Sequence, residues 1–459
     1  MRHFMASSLL ASAAALNLPR DLLQIRQTTN TNKTSHTIAL TATLYGSRYN
    51  APVTIGGTEF SLLVDTGSSD TFVIEDDFEC VGQSAYTGDV VQVEQSQCAY
   101  ASKAYSPSES DTYEPIANET FLAAYGAGVA SGSMALEDIT LGGVTVTDQR
   151  FGLVNLSSPM GLGASGILGL AYPVITSAYE VNGTLEDIAD DVAEDDLDDD
   201  DLNSSIEQEP YSPLFVSMAR RGLVEPYFSL ALQRLDGDQE TGDGGVLVLG
   251  GLPDVKLANN FTTVAAEYYK AAEFRSDNGT RLRSYWATTV QKITYGDNGE
   301  HTASYQTIVD SGAPMNYVPT EVADGFNQRF SSRAQWDDTQ GAYLVDCDAD
   351  APDFAVQLGG TTFKLNPADL ILHSGVEYGG EEICVSAVTR GLEQQVNETD
   401  STELYILGAG FLKGVVAVFD FGNSQMRFAE RETSAASVLQ IFGGGKFAVV
   451  FGVMFALWI

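Results

Sequence analysis

Basic residues are scarce in this chain of 459 residues, where 24 Lys and Arg face 62 Asp and Glu for a formal net charge of -38. Binding to a phosphate backbone depends on clustered Lys and Arg, so nucleic acid is excluded as a partner. Cysteine and histidine are also few, 4 of each, with no Cys-x-x-Cys pair and the histidines far apart. That pattern argues against a metal centre, and nothing in the sequence asks for another cofactor. Helical periodicity is rare too. In its place run short Val, Ile, Phe and Tyr segments broken by Gly-rich turns such as "LGG", "GGTEF" and "GDGGVLVLGG", which predict an all-β protein of mostly antiparallel strands. The length exceeds what one core supports, so two lobes are expected. The acidity suits a protein working in acid, where protonation trims self-repulsion, and is equally a plain route to solubility.

Long apolar runs are confined to the two ends. Residues 1–15, within "MRHFMASSLLASAAALNLPRD", combine a basic start, an apolar stretch and small residues at Ala11, Ala13 and Ala15, the form of a secretory signal. Eight Asn-x-Ser/Thr sequons, at Asn32, Asn118, Asn155, Asn182, Asn203, Asn260, Asn278 and Asn397, agree with passage through a glycosylating compartment. In such a compartment Cys80 with Cys98 and Cys347 with Cys384 form two local disulfides, the economical choice among three connectivities. At the other end, residues 434–459 hold small residues near Ser434 to Ser437, a spacer, and the tail "KFAVVFGVMFALWI". The tail is short for a span, which needs about 20 residues, and the arrangement matches a lipid-anchor (GPI) signal. A tail-inserted helix or a buried terminal strand are the alternatives. The protein is therefore expected at the cell surface, on plasma membrane or cell wall, and otherwise secreted.

One short pattern occurs twice. "VDTGSSDTFV" brings an apolar strand into Asp65, Thr66, Gly67 and Ser68, and "TIVDSGAPMNYVP" does the same with Asp310, Ser311 and Gly312. "SGILGLAYP" follows the first and "LYILGAGF" the second. Asp65 to Ile167 is 102 positions (167 − 65) and Asp310 to Ile406 is 96 (406 − 310), which indicates an internal duplication. A lone aspartate in such a turn usually caps its own backbone. Two copies with matched partners argue otherwise. The halves divide near residues 255 to 265, giving lobes at 37–255 and 256–433.

If each lobe presents its aspartate at a turn and the lobes face each other, two carboxylates meet about a pseudo-twofold axis. Like charges that close cannot both ionise, so one proton is shared and a water between them becomes a nucleophile toward a peptide carbonyl. The glycines permit the close approach, and Thr66 and Ser311 can hydrogen-bond to the opposite turn.

The two motifs, each with its "ILG", resemble the pepsin family of bilobal aspartic peptidases over roughly residues 45 to 430. That resemblance implies two pseudo-twofold-related β lobes around a cleft. It implies Asp65 and Asp310 as catalytic residues of an endopeptidase acting on polypeptides as a monomer, without metal or cofactor. Shared protons between two aspartates are typical of that family. "FLAAYGAGVASGSMAL" resembles its flap, with Tyr125 closing over substrate and Gly126 as a backbone contact. Signal, acidic insertion and tail together resemble the fungal surface-anchored, yapsin-like members. By the same resemblance residues 16–36 form a short prosegment, in which Arg20, Arg26 or Lys33 pairs with the dyad before cleavage.

Several positions depart from the family pattern. Phe72 stands where the family usually has the Trp that bonds the flap tyrosine, so the flap should be held less firmly. Ala313 lacks the hydroxyl that Ser68 keeps, which predicts a raised upper titration and a less acidic optimum. Ser165 and Ala409 replace common acidic or amide residues beside the two "ILG" segments, with effects expected on stability alone. The acidic insertion at about 182–209, "LEDIADDVAEDDLDDDD" within it, is read as a solvated loop. Leu185, Ile188 and Val192 have helical spacing, and attraction of basic substrate segments is the functional alternative. A surface binding protein that keeps the fold without turnover is the competing class, and the presence of both aspartates favours the enzyme.

Overall fold

The computed structural model describes residues 34–432 except 84–89, 102, 182–205, 236–238, 277, 333, 339, 379–380 and 396–400. The signal, most of the prosegment with Arg20, Arg26, Lys33 and Asn32, the sequons at Asn182, Asn203 and Asn397, most of the acidic insertion and the C-terminal tail lie outside the described residues. Among the described residues no helix is long and apolar enough to cross a membrane.

The described chain is mostly β, with two lobes built on one plan. In the first, the strand Thr58–Asp65 pairs in parallel with Gly166–Gly169, which also pairs antiparallel with the strand beginning at Thr71. In the second, Tyr305–Val309 pairs in parallel with Ile406–Leu407, which pairs antiparallel with Asn316–Val318. Each "ILG" therefore runs between the strand that enters an aspartate turn and the strand that leaves it. Its small, apolar residues suit this place because all are buried: a Cβ on Gly169 would meet Asp70 backbone N at 2.5 Å. The outgoing strands each gain a parallel neighbour, Phe72 opposite Gly152 in the first lobe and Asn316 opposite Val388 in the second.

A six-strand path joins the lobes. Its order is His36–Thr43, Gly242–Leu249, Tyr227–Leu232, Val415–Asp420, Gln425–Glu430, Thr262–Ala265. The central pairing sets Phe228 opposite Phe419. The chain between Leu249 and Thr262 links the strands Gly242–Leu249 and Thr262–Ala265.

Above this sheet sits a cluster of buried rings, Tyr172, Phe215, Phe228, Trp286, Phe419 and Phe421, drawn from both lobes, with Trp286 and Phe421 centroids 4.7 Å apart. Such pairs contribute about 0.5–1.5 kcal/mol each beyond their buried area. Trp286 also donates its Nε1–H to the Leu170 carbonyl at 3.0 Å, four residues beyond Gly166 in the first "ILG" strand. A second tie is ionic: Arg234 holds the buried Asp369 through Nε at 2.6 Å and Nη2 at 2.5 Å. These contacts fix how the two aspartate turns face one another.

Disulfides join Cys80 to Cys98 and Cys347 to Cys384, closing loops of 18 and 37 positions, one in each lobe. The last residues of the acidic insertion are strand rather than loop. Ile206–Gln208 pairs with Ala178–Val181, so the chain on either side of 182–205 is anchored to the sheet edge. Ladder hydrogen bonds there outweigh the solvation preference read from charge. Four sequons fall on described residues, Asn118, Asn155, Asn260 and Asn278, and all four are exposed.

Candidate active site

The two turns meet back to back. Thr66 Oγ1 donates to the Val309 carbonyl at 2.9 Å and accepts from Ser311 N–H at 2.9 Å; Ser311 Oγ donates to the Val64 carbonyl at 2.7 Å and accepts from Thr66 N–H at 3.1 Å. Both side chains are fully buried. Each hydroxyl thus satisfies backbone groups of the opposite lobe, which is why a hydroxyl residue sits second in each motif.

The braces bring the Asp65 and Asp310 carboxyls together, each against the glycine of the opposite turn. Gly67 N–H donates to Asp65 Oδ1 at 2.8 Å and Gly312 N–H to Asp310 Oδ1 at 2.7 Å, a matched pair of turn contacts. Glycine is required at both places. A Cβ on Gly312 would stand 2.5 Å from Asp65 Oδ1, and one on Gly67 would strike the Asp310 carboxyl. Asp310 is half-buried and surrounded by protein. Loss of solvent, and then the neighbouring Asp65 carboxyl, hold its titration well above the ordinary carboxylate range.

The turns differ in one contact. Ser68 Oγ donates a short hydrogen bond to Asp65 Oδ2, whereas Ala313 has no hydroxyl to offer Asp310. Ser165, beside the first "ILG", is buried with an unpartnered Oγ, and its backbone accepts from Ile74 N at 2.9 Å. Ala409 N donates to the Ala313 carbonyl at 2.7 Å, behind the second turn. Neither side chain hydrogen-bonds either carboxyl.

Strands Glu114–Tyr125 and Gly128–Leu141 form a hairpin whose last pair is Tyr125 opposite Gly128, with Gly126 exposed in the turn. Tyr125 folds inward so that its ring lies 5.9 Å from Phe72, which in turn lies 5.6 Å from Phe121. Phe72 has no donor to give. The Tyr125 hydroxyl is buried without a hydrogen-bond partner, and burial with the nearby Asp70 and Asp65 carboxyls pushes its titration far up.

Sequence reasoning missed two ionisable groups here. Asp70, within the first motif, is buried and accepts from Ser177 N–H at 2.9 Å and from the Tyr211 hydroxyl at 2.7 Å. Burial raises its titration to about 6. Arg48, which opens the apolar strand Arg48–Ile55, is 4% exposed and donates from Nη1 to the Gly312 carbonyl. A basic residue at the head of an apolar strand, in a chain with few basic residues, was the available signal.

The geometry agrees with what the chain is similar to. The family model "Eukaryotic aspartyl protease" matches residues 48–431. A probable aspartic-type endopeptidase of Aspergillus fumigatus is 32% identical over 84% of this chain and 79% of its own length. Pepsin A of Canis lupus familiaris is 27% identical over 81% of this chain and 77% of its own. The crystal structure of an aspartic proteinase from Irpex lacteus superposes with a TM-score of 0.61, covering 88% of this chain and 99% of that one at 18% identity, which bears on the fold alone. The chain belongs to the eukaryotic aspartyl protease family and is an aspartic-type endopeptidase.

Proposed function

We propose that the enzyme cleaves polypeptides with a water held between Asp65 and Asp310. The observation that carries this is the meeting of the two carboxyls at the junction of the cross-braced turns, each against the glycine of the opposite turn. With one proton on the pair, the ionised carboxylate accepts a proton from the water as its oxygen attacks the peptide carbon. The protonated carboxyl donates to the carbonyl oxygen as it becomes tetrahedral, and collapse sends a proton to the departing amine. Gly126 and Tyr125 would cover the substrate, and the unpartnered Tyr125 hydroxyl is free to bond it.

A statine-type mimic of the tetrahedral species tests the assembled pair, because such compounds bind the transition-state arrangement far better than substrate. Tight inhibition of the wild type and its loss in Asp65→Asn are expected; equal inhibition of both would reject the arrangement.

The same proposal places the enzyme outside the cell on a lipid anchor. Its support is the signal-like start, the exposure of the four described sequons, the two disulfides and the small-residue, spacer and apolar-tail order of 434–459. Release of activity from intact cells by a phosphoinositide-specific phospholipase is expected, and activity that stays with the membrane after treatment would contradict it.

A further inference from the structure

We propose that Arg48 is a positioning residue for the dyad, bracing the Gly312–Ala313 peptide against Asp310 and, by its charge, keeping the aspartate pair singly ionised in acid. The inference rests on the dyad described above.

Arg48 comes from the first lobe, and the carbonyl it grips lies 264 positions away in the second. The Gly312 carbonyl belongs to the residue whose own N–H donates to Asp310 Oδ1 at 2.7 Å. Guanidinium to carbonyl and N–H to carboxylate thus meet at one residue, Gly312, and hold the turn that carries Asp310. This falls on the turn whose third position lacks a hydroxyl. Asp65 has Ser68 Oγ; Asp310 has a peptide backed by a cation.

Charge balance gives the second half of the argument. A buried cation is costly unless an anion compensates it. Arg48 with one net negative charge on the pair makes a neutral site; a fully protonated pair would strand the cation, and a doubly ionised pair would leave an excess anion. The titratable groups that act on Arg48 include Tyr317, Asp65 and Asp310. Facing the pair besides Arg48 are Tyr125, Tyr285 and Tyr317, all driven upward by burial, Tyr285 to about 12, and so neutral in acid. Burial lowers Arg48 only to about 10, which leaves it charged wherever the carboxyls titrate.

The test is the pH profile of kcat/KM for wild type, Arg48→Gln and Arg48→Lys. Gln keeps a donor for the Gly312 carbonyl without charge; Lys keeps charge without the planar fork. Removing a cation within reach of a carboxylate raises its titration, so Arg48→Gln should move the acid limb upward by about one pH unit. Arg48→Lys should hold the limb near its wild-type position while kcat falls severalfold. Unmoved limbs in Arg48→Gln, or an equal shift in both variants, would overturn the proposal. Should Arg48→Gln not fold, the Lys variant still decides, since a limb displaced upward by a unit despite the retained charge rejects the electrostatic role. Asp65→Asn run in parallel separates the two claims: full turnover there would sink the dyad itself, whatever Arg48 does.

Discussion

Thr66 and Ser311 lie 245 positions apart, yet each donates its hydroxyl to the other's strand and accepts the other's backbone N–H. Four buried bonds thus set the separation of the two aspartate turns. Thr66→Val keeps the shape and removes the hydroxyl, leaving the Val309 carbonyl and Ser311 N–H unpaired. A loss of about 1–3 kcal/mol of unfolding free energy is expected, with kcat lowered by up to about a hundredfold because the carboxyls lose register. Denaturant unfolding with steady-state kinetics measures both; a variant unchanged in either would show that the braces do not hold the site.

Tyr125 carries a buried hydroxyl that bonds nothing in the free enzyme. Tyr125→Phe should leave stability unchanged or raise it by about 1 kcal/mol, since an unsatisfied polar group is removed. If that hydroxyl bonds the substrate, kcat/KM falls at the same time. An unchanged kcat/KM would assign the tyrosine to packing against Phe72.

Asp70 makes stability depend on pH. Burial raises its folded titration to about 6 from an ordinary value of 3.8, so between these values the folded form binds a proton that the unfolded form releases. The contribution is complete below 3.8 and is lost as pH rises through 6, by at most about 3 kcal/mol. Asp70→Asn retains an acceptor for Tyr211 and Ser177 and should flatten this decline. Unfolding free energies measured from about pH 3 to 7 decide it, and an equally steep fall in the variant would place the dependence elsewhere.

Ala313 leaves Asp310 without the hydroxyl contact that Ser68 gives Asp65. In Ala313→Thr an added donor favours the ionised form, so the kcat/KM profile should move to lower pH by about half a unit. A profile identical to the wild type would mean that the hydroxyl has no bearing on the pair.

The site's centre was legible because its chemistry sits in contiguous, repeated words. Asp65 and Asp310, their hydroxyl neighbours and their glycines could be paired by motif and spacing alone. The all-β architecture followed from short apolar runs and Gly-rich turns. What stayed hidden depends on packing between distant segments. Nothing in "RYNAPVTI" shows that Arg48 turns toward a carbonyl in the other lobe, and nothing around Trp286 announces its bond to Leu170. Asp70 was in plain view inside the first motif, but its burial depends on Tyr211 and Ser177, brought in from beyond the first "ILG". The short strand Ile206–Gln208 was masked by the acidic run before it, since composition reports solvation and not which backbone edge lies nearby.

The most direct test of a shared-proton pair is the kcat/KM of Asp65→Asn, Asp310→Asn and the double variant on a polypeptide substrate in acid. Groups that act as one unit do not contribute independently. Each single variant should lose at least about a thousandfold, and the double should lose no more than the worse single. Full turnover in either single variant, or losses that multiply in the double, would contradict the account.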